Sequence, residues 1–203
     1  MNLYLVPNDP LKTVLFSADG ATRYRITTRR KYIFGPPLSR IYRPVGTSSV
    51  PSKDDKLVAE IEWKRWSHPV VRSDAFDGTM HEIELREFLY KLGKKFSTTR
   101  YFLGSDDKEY CWKDTKGTGH ILSSRVAKRE VARFNYDVAL DGTLAGQKKW
   151  FIQVQPSELS LDMIILTFVI MEKRRREREA HPERRGFGDE NPFESGFDGG
   201  VGA

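Results

Sequence analysis

Residues 159 to 171 read Leu-Ser-Leu-Asp-Met-Ile-Ile-Leu-Thr-Phe-Val-Ile-Met, and from Leu161 onward only Asp162 and Thr167 are polar. Such a run predicts a helix whose apolar surface goes right round the cylinder, and a helix of that kind must be enclosed on all sides. A bilayer is a poor enclosure, because thirteen residues rise about 20 Å against a hydrocarbon layer of about 30 Å. The expected enclosure is therefore protein. Pro156 and Ser157 end the preceding segment, Ser157 can cap the helix with Glu158 in its first turn, and Lys173, Arg174 and Arg175 suit the negative end of its dipole. The helix is expected over 158–179.

Nearly everything before it reads as short strands. Residues 3–6 and 13–16 are apolar runs stopped by Pro7-Asn8-Asp9-Pro10 and Asp19-Gly20. Over 22–28, Tyr24 and Ile26 share one face while Arg23, Arg25 and Thr27 share the other, the alternation of a half-buried strand with its arginines outward. Leu57, Ala59, Ile61 and Trp63 alternate with Val58, Glu60, Glu62 and Lys64, the cleanest strand in the chain. Residues 69–72 should pair beside it, and 84–92 place Leu85, Phe88, Leu89 and Leu92 on one side of a short helix ended by Gly93. A turn-forming cluster at 104–108 separates the aromatic runs 101–103 and 109–113, as in a hairpin. Further strands are expected at 120–122, 131–134 and 149–154.

The sheet so formed has to surround the helix. The reading is thus mainly β (α+β): a closed antiparallel β-barrel of about 10 to 12 strands enclosing a hydrophobic C-terminal helix, one domain over 1–179. The tail 180–203 has six glycines, two prolines and little aliphatic content, and is expected to be disordered and acidic. Its two arginines stand against five acids. With +6 on the whole chain, the body therefore carries +9, a bias that suits an anionic partner.

The single cysteine, Cys111, excludes an internal disulfide, and the N-terminal residues lack the pattern of a signal peptide. A cytoplasmic location follows as an expectation, with any membrane contact peripheral.

The order of strands first and an apolar helix last resembles the tubby C-terminal-like superfamily, which includes tubby domains, LURP-one-related proteins and phospholipid scramblases. The resemblance implies a β-barrel threaded by one hydrophobic helix. More closely, Tyr101-Phe102, Asp107-Lys108-Glu109-Tyr110-Cys111-Trp112-Lys113, the Ile61-Glu62-Trp63 strand, Val131-Ala132-Arg133-Phe134 and residues 159–179 resemble an uncharacterised fungal family of tubby-like domains. It covers about residues 3–179 and carries over no residue's role.

The strongest candidate site is basic. Arg23, Arg25, Arg29, Arg30 and Lys31 lie in a window, 21–50, with seven basic residues and no acid. Arg23, Arg25 and Arg29 share parity, so on a strand they leave one face over about 20 Å and could meet several phosphates. The structural alternative is a solvated outer strand whose arginines pair with acids on its neighbours. Lys173 to Arg178 are interspersed with Glu172, Glu177 and Glu179 at spacings that permit pairing within the helix. His68, His81, His120 and His181 are dispersed, with no HExxH spacing, so no metal, cofactor or catalytic triad is expected, and Cys111 reads as a small core residue. The aromatic and basic run Trp63-Lys64-Arg65-Trp66 alternates as core does, so nucleic acid is not the expected partner. In the tail, Asn191-Pro192-Phe193 resembles the tripeptide bound by EH domains of endocytic adaptors. The expected function is a non-enzymatic module that binds anionic membrane lipid peripherally, the alternative being a protein-interaction scaffold or adaptor with no lipid role.

Overall fold

The computed structural model describes residues 1–30, 32, 35–46, 51–64, 67–93, 97–115, 119–140 and 142–180. In chain order the elements are β1 (Asn2–Val6), β2 (Thr13–Ser17), β3 (Thr22–Arg30), β4 (Pro37–Arg43), β5 (Lys56–Glu62), β6 (Val70–Ser73), β7 (His81–Glu84), α1 (Leu85–Phe88), β8 (Arg100–Leu103), β9 (Glu109–Thr115), β10 (Gly119–Ser124), β11 (Glu130–Val138), β12 (Lys148–Val154) and α2 (Leu161–Ala180). A single 3-10 turn, Gly142–Leu144, interrupts the β11–β12 connection.

All strands belong to one antiparallel sheet in the order β7-β6-β5-β4-β3-β2-β1-β12-β11-β10-β9-β8. Two meanders run outward from the β1–β12 pair, where Leu3 lies opposite Ile152. The sheet curves around α2, which touches side chains from β3 and β4 on one flank and from β9 to β12 on the other.

The closed barrel expected from the sequence is not what forms. β7 and β8 are the two ends of the sheet and do not pair with each other. Between them the chain makes one turn of helix, α1, which puts Leu85 and Phe88 into the core in place of a ladder. Beyond it Tyr90 forms a lone bridge with Tyr101 of β8, with N–H···O distances of 3.0 and 2.9 Å. Phe88 is packed edge-on against Phe76 and Phe102 at 5.0 and 6.0 Å, so side chains fill the gap that backbone pairing leaves. The sequence pattern over 84–92 describes the buried face but overstates the helix, which stops at Phe88 while Leu92 is exposed.

Enclosure of α2 is as the apolar run demands. Every residue from Asp162 to Glu172 is buried. Phe168 packs 4.8 Å from Phe134 and 6.4 Å from Trp112. The helix starts later than 158, because Leu159 is drawn into the core and Ser160, rather than Ser157, caps it, accepting the Met163 N–H at 3.3 Å. Thr167, the polar residue midway along, accepts from Trp112 Nε1 at 2.9 Å and donates to the Met163 carbonyl at 2.8 Å.

Thr167→Val keeps the volume but strands the buried Trp112 N–H. It is expected to cost about 2 kcal/mol in urea unfolding, whereas adding Trp112→Phe should cost much less than the sum of the two single changes. Strict additivity would show that this hydrogen bond contributes nothing.

Candidate functional site

The predicted basic strand is β3, and the structure splits its arginines. Tyr24 and Ile26 are buried inward, as the alternation requires. Arg23 is exposed but held at its own end of the strand by Ser17 Oγ at 2.9 Å and Asp19 at 3.4 Å. Arg25 is on the outward face yet only 5% exposed, because the β4–β5 connection lays Asp55 across it as an ion-pair partner. Arg25 therefore does not belong to the exposed row expected from its parity. Arg29 and Arg30, at the far end of β3, are exposed and have no ion-pair partner among the described residues. Lys31, and Asn191, Pro192 and Phe193, lie outside the described residues.

The rest of this outer face is neutralised across strands. Arg40 of β4 sits opposite Glu60 of β5, which sits opposite Arg72 of β6, which sits opposite Glu82 of β7. The Arg40–Glu60 and Arg72–Glu82 contacts are 2.6 and 2.5 Å, so the outward charges of β4 to β7 cancel in cross-strand pairs.

Two acids are enclosed along α2, Asp162 at its start and Glu172 beyond its middle. At its start, Asp162 accepts the Tyr24 hydroxyl at 2.6 Å and pairs with Arg43. Burial, then the Asp162 charge, pushes the Tyr24 hydroxyl far above its ordinary pKa, so it stays a donor. Near the other end Glu172 is fully buried, accepting from Arg175 Nη2 at 2.8 Å and Arg176 Nε at 2.6 Å. Beside it His120 of β10, also fully buried, has Nδ1 2.7 Å from Asp114 of β9 and Nε2 3.3 Å from Glu172. Both contacts lie off the line of a good ring N–H hydrogen bond, so they act through charge. Arg178 returns to Asp114 at 2.6 Å and Arg176 to the Asn8 carbonyl at 2.9 Å. Glu172 and Arg175 are three apart and Glu172 and Arg176 four apart, and that spacing was the legible signal; His120 comes from a strand with no sequence relation to them.

Burial alone would push His120 down and Glu172 up. For His120 the Asp114 and Glu172 carboxylates outweigh burial, and its pKa lies above the ordinary 6.5. For Glu172 the Arg175, His120 and Arg176 cations outweigh it, and its pKa falls from 4.5 to about 2. The cluster sets two carboxylates against three guanidinium groups and an imidazole around a fully buried His120–Glu172 centre, which makes it a latch for the last turns of α2. Cys111 is buried, and burial pushes its thiol up, away from nucleophilic use. Among the described residues, no His, Cys, Asp and Glu form a group able to hold a metal ion, and no helix is long and apolar enough to cross a membrane.

Because His120 is raised, its contribution is full below about pH 6.5 and is lost as pH climbs through the folded value. Glu172, depressed, contributes above about pH 4.5 and loses that contribution as pH falls toward about 2. Urea unfolding across pH should therefore weaken on both sides. His120→Asn is expected to flatten the alkaline limb and leave the acid limb in place, and an unchanged alkaline limb would refute the charged histidine. Glu172→Gln should lower stability near neutrality by on the order of 3 kcal/mol, since it leaves the buried His120 and the half-buried Arg175 and Arg176 without their partner.

The model of a family of unknown function, DUF6593, matches residues 8–177. Neither a curated protein nor a solved structure matches the chain at a significant level.

Proposed function

The chain belongs to DUF6593, a family of unknown function, and we propose that it is a non-enzymatic module that binds anionic membrane lipid, of the phosphoinositide-headgroup kind, from the side of the aqueous phase. The observation that carries this reading is the Arg29–Arg30 pair, two adjacent exposed guanidinium groups at the end of β3 that no described acid neutralises. A guanidinium fork fits two phosphate oxygens at once, and each cation near an anionic surface adds about 1 kcal/mol of attraction. Arg23 and Arg25 are left out of the site, since Asp19 and Asp55 already occupy them. The tubby-like resemblance supports the reading, as does the net positive charge. The non-enzymatic part is supported by the enclosure of His120 and Glu172, whose imidazole and carboxylate have no exposed surface to offer a substrate.

Co-sedimentation with vesicles of phosphatidylcholine, with and without phosphatidylinositol bisphosphate, at low and moderate salt tests this. Binding should require the anionic lipid, weaken with salt, and fall at least about fivefold in Arg29→Glu/Arg30→Glu. Arg25→Ala should lower stability without that loss. No sedimentation at either salt would remove the lipid reading and leave the protein-interaction one.

A further inference from the structure

The charges of this protein are sorted along the axis of α2. The sheet has two ends: one where α2 begins, beside Tyr24 and Arg43, and one where its last turns emerge, beside Trp63, Asn8, Trp150 and Asp114. At the first end the cations are mostly consumed. Arg25, Arg43, Lys56, Lys108 and Arg125 pair with Asp55, Asp162, Asp74, Glu158 and Glu109. Arg129 donates to the Pro156 carbonyl. Lys53 and Lys128 lie outside ion pairs there, but so do the exposed acids Asp54 and Asp107.

The exit end is the opposite. Lys12 before β2, Arg29 and Arg30 ending β3, Lys64 after β5, and Lys148 and Lys149 opening β12 are exposed or half-buried, and none has an ion-pair partner among the described residues. Apart from Glu177 and Glu179, which pair with Lys173 and Arg175, the exposed acids at that end, Asp9, Glu87 and Asp137, are fewer, and Asp9 and Asp137 each accept a local backbone N–H. The cations of α2 itself are not counted in this surplus, since Lys173, Arg175, Arg176 and Arg178 are committed to Glu177, Glu172 and Asp114. In the strand order β5-β4-β3-β2-β1-β12 these six cations span five interstrand spacings, an arc about 24 Å long around the curved sheet at about 4.8 Å each. Tyr32, next to this arc, is 67% exposed, an aromatic ring of the type that sits at a lipid headgroup level.

Resting on the lipid reading above, we infer that the protein docks end-on: the arc of Lys12, Arg29, Arg30, Lys64, Lys148 and Lys149 meets a plane of anionic phospholipid headgroups, with α2 pointing toward that plane and the neutralised end turned away. A rim of cations on one end of the sheet fits phosphates presented in a plane better than phosphates strung along a groove, and because the surplus is confined to that end it selects this orientation.

The orientation is read with a doxyl-quenched dye placed by Ala180→Cys at the end of α2 or by Val126→Cys in the exposed β10–β11 turn, on vesicles containing phosphatidylinositol bisphosphate. Cys111 is buried and leaves the new thiol as the reactive one. Doxyl-lipid should quench the dye at 180 and not the dye at 126. In parallel, Lys12→Glu/Lys148→Glu/Lys149→Glu should weaken vesicle binding about tenfold or more, while Lys53→Glu/Lys128→Glu changes it less than about twofold. Binding with the quenching reversed, or equal sensitivity at the two ends, overturns the end-on docking while leaving the lipid reading intact. No binding by the parent protein overturns both, and tighter binding to a single-stranded RNA oligomer than to the vesicles would replace the membrane as partner.

Discussion

The structure depends on enclosing a helix that has no polar face. Eleven successive residues of α2, Asp162 to Glu172, are buried, so the sheet must supply apolar surface around the whole circumference, and it needs twelve strands in one continuous order to do so. Burial of that run is favourable in proportion to the apolar area removed from water, but it fixes neither where the helix stops along its axis nor how it is rotated. Those are set by the polar groups it carries. Asp162 meets Tyr24 and Arg43 at one end, Thr167 meets Trp112 in the middle, and Glu172 meets His120, Arg175 and Arg176 near the other. Each would be left charged or unpaired in a dry interior if α2 slid or turned, so the three contacts act as register marks.

The same enclosure separates the interior from any functional surface. A fully buried imidazole between two carboxylates has the composition of a reactive centre and the accessibility of a core residue. Its two ring nitrogens face the carboxylates of β9 and α2, tying β9 and β10 to the helix. What remains for recognition is the outside, and most of that is neutralised by cross-strand pairs such as Arg40–Glu60 and Arg72–Glu82. The unspent charge collects at the end where α2 emerges, which is why a contact with an anionic plane is argued from there and not from the flank of β3.

Sheet closure fails where the chain departs from strand geometry. Between β7 and β8 the residues Leu85, Phe88 and Leu89 are spaced to face the core from a helical turn, and a helical turn has no ladder to offer its neighbours. The two sheet ends are therefore joined through side chains and the Tyr90–Tyr101 bridge.

The helix, its need for a surrounding shell, and the inward face of β3 were legible in the sequence, because period and apolarity are local properties of the chain; that of β5 was legible only from Ala59 on, since a shift in the β4–β5 pairing buries Val58, expected outward, and leaves Leu57 half-buried. So were the candidate arginines as residues. Which of them stays free was not: Arg25 is covered by Asp55, thirty residues on, and Arg23 by Asp19 in the preceding turn. Nor could spacing reveal that His120 would stand between Asp114 and Glu172, or that one ring of connections would be left with unpaired cations. Strand alternation determines which way a side chain points, whereas burial, pairing and net charge at a surface depend on what the folded chain brings opposite it, and only the tertiary structure decides that.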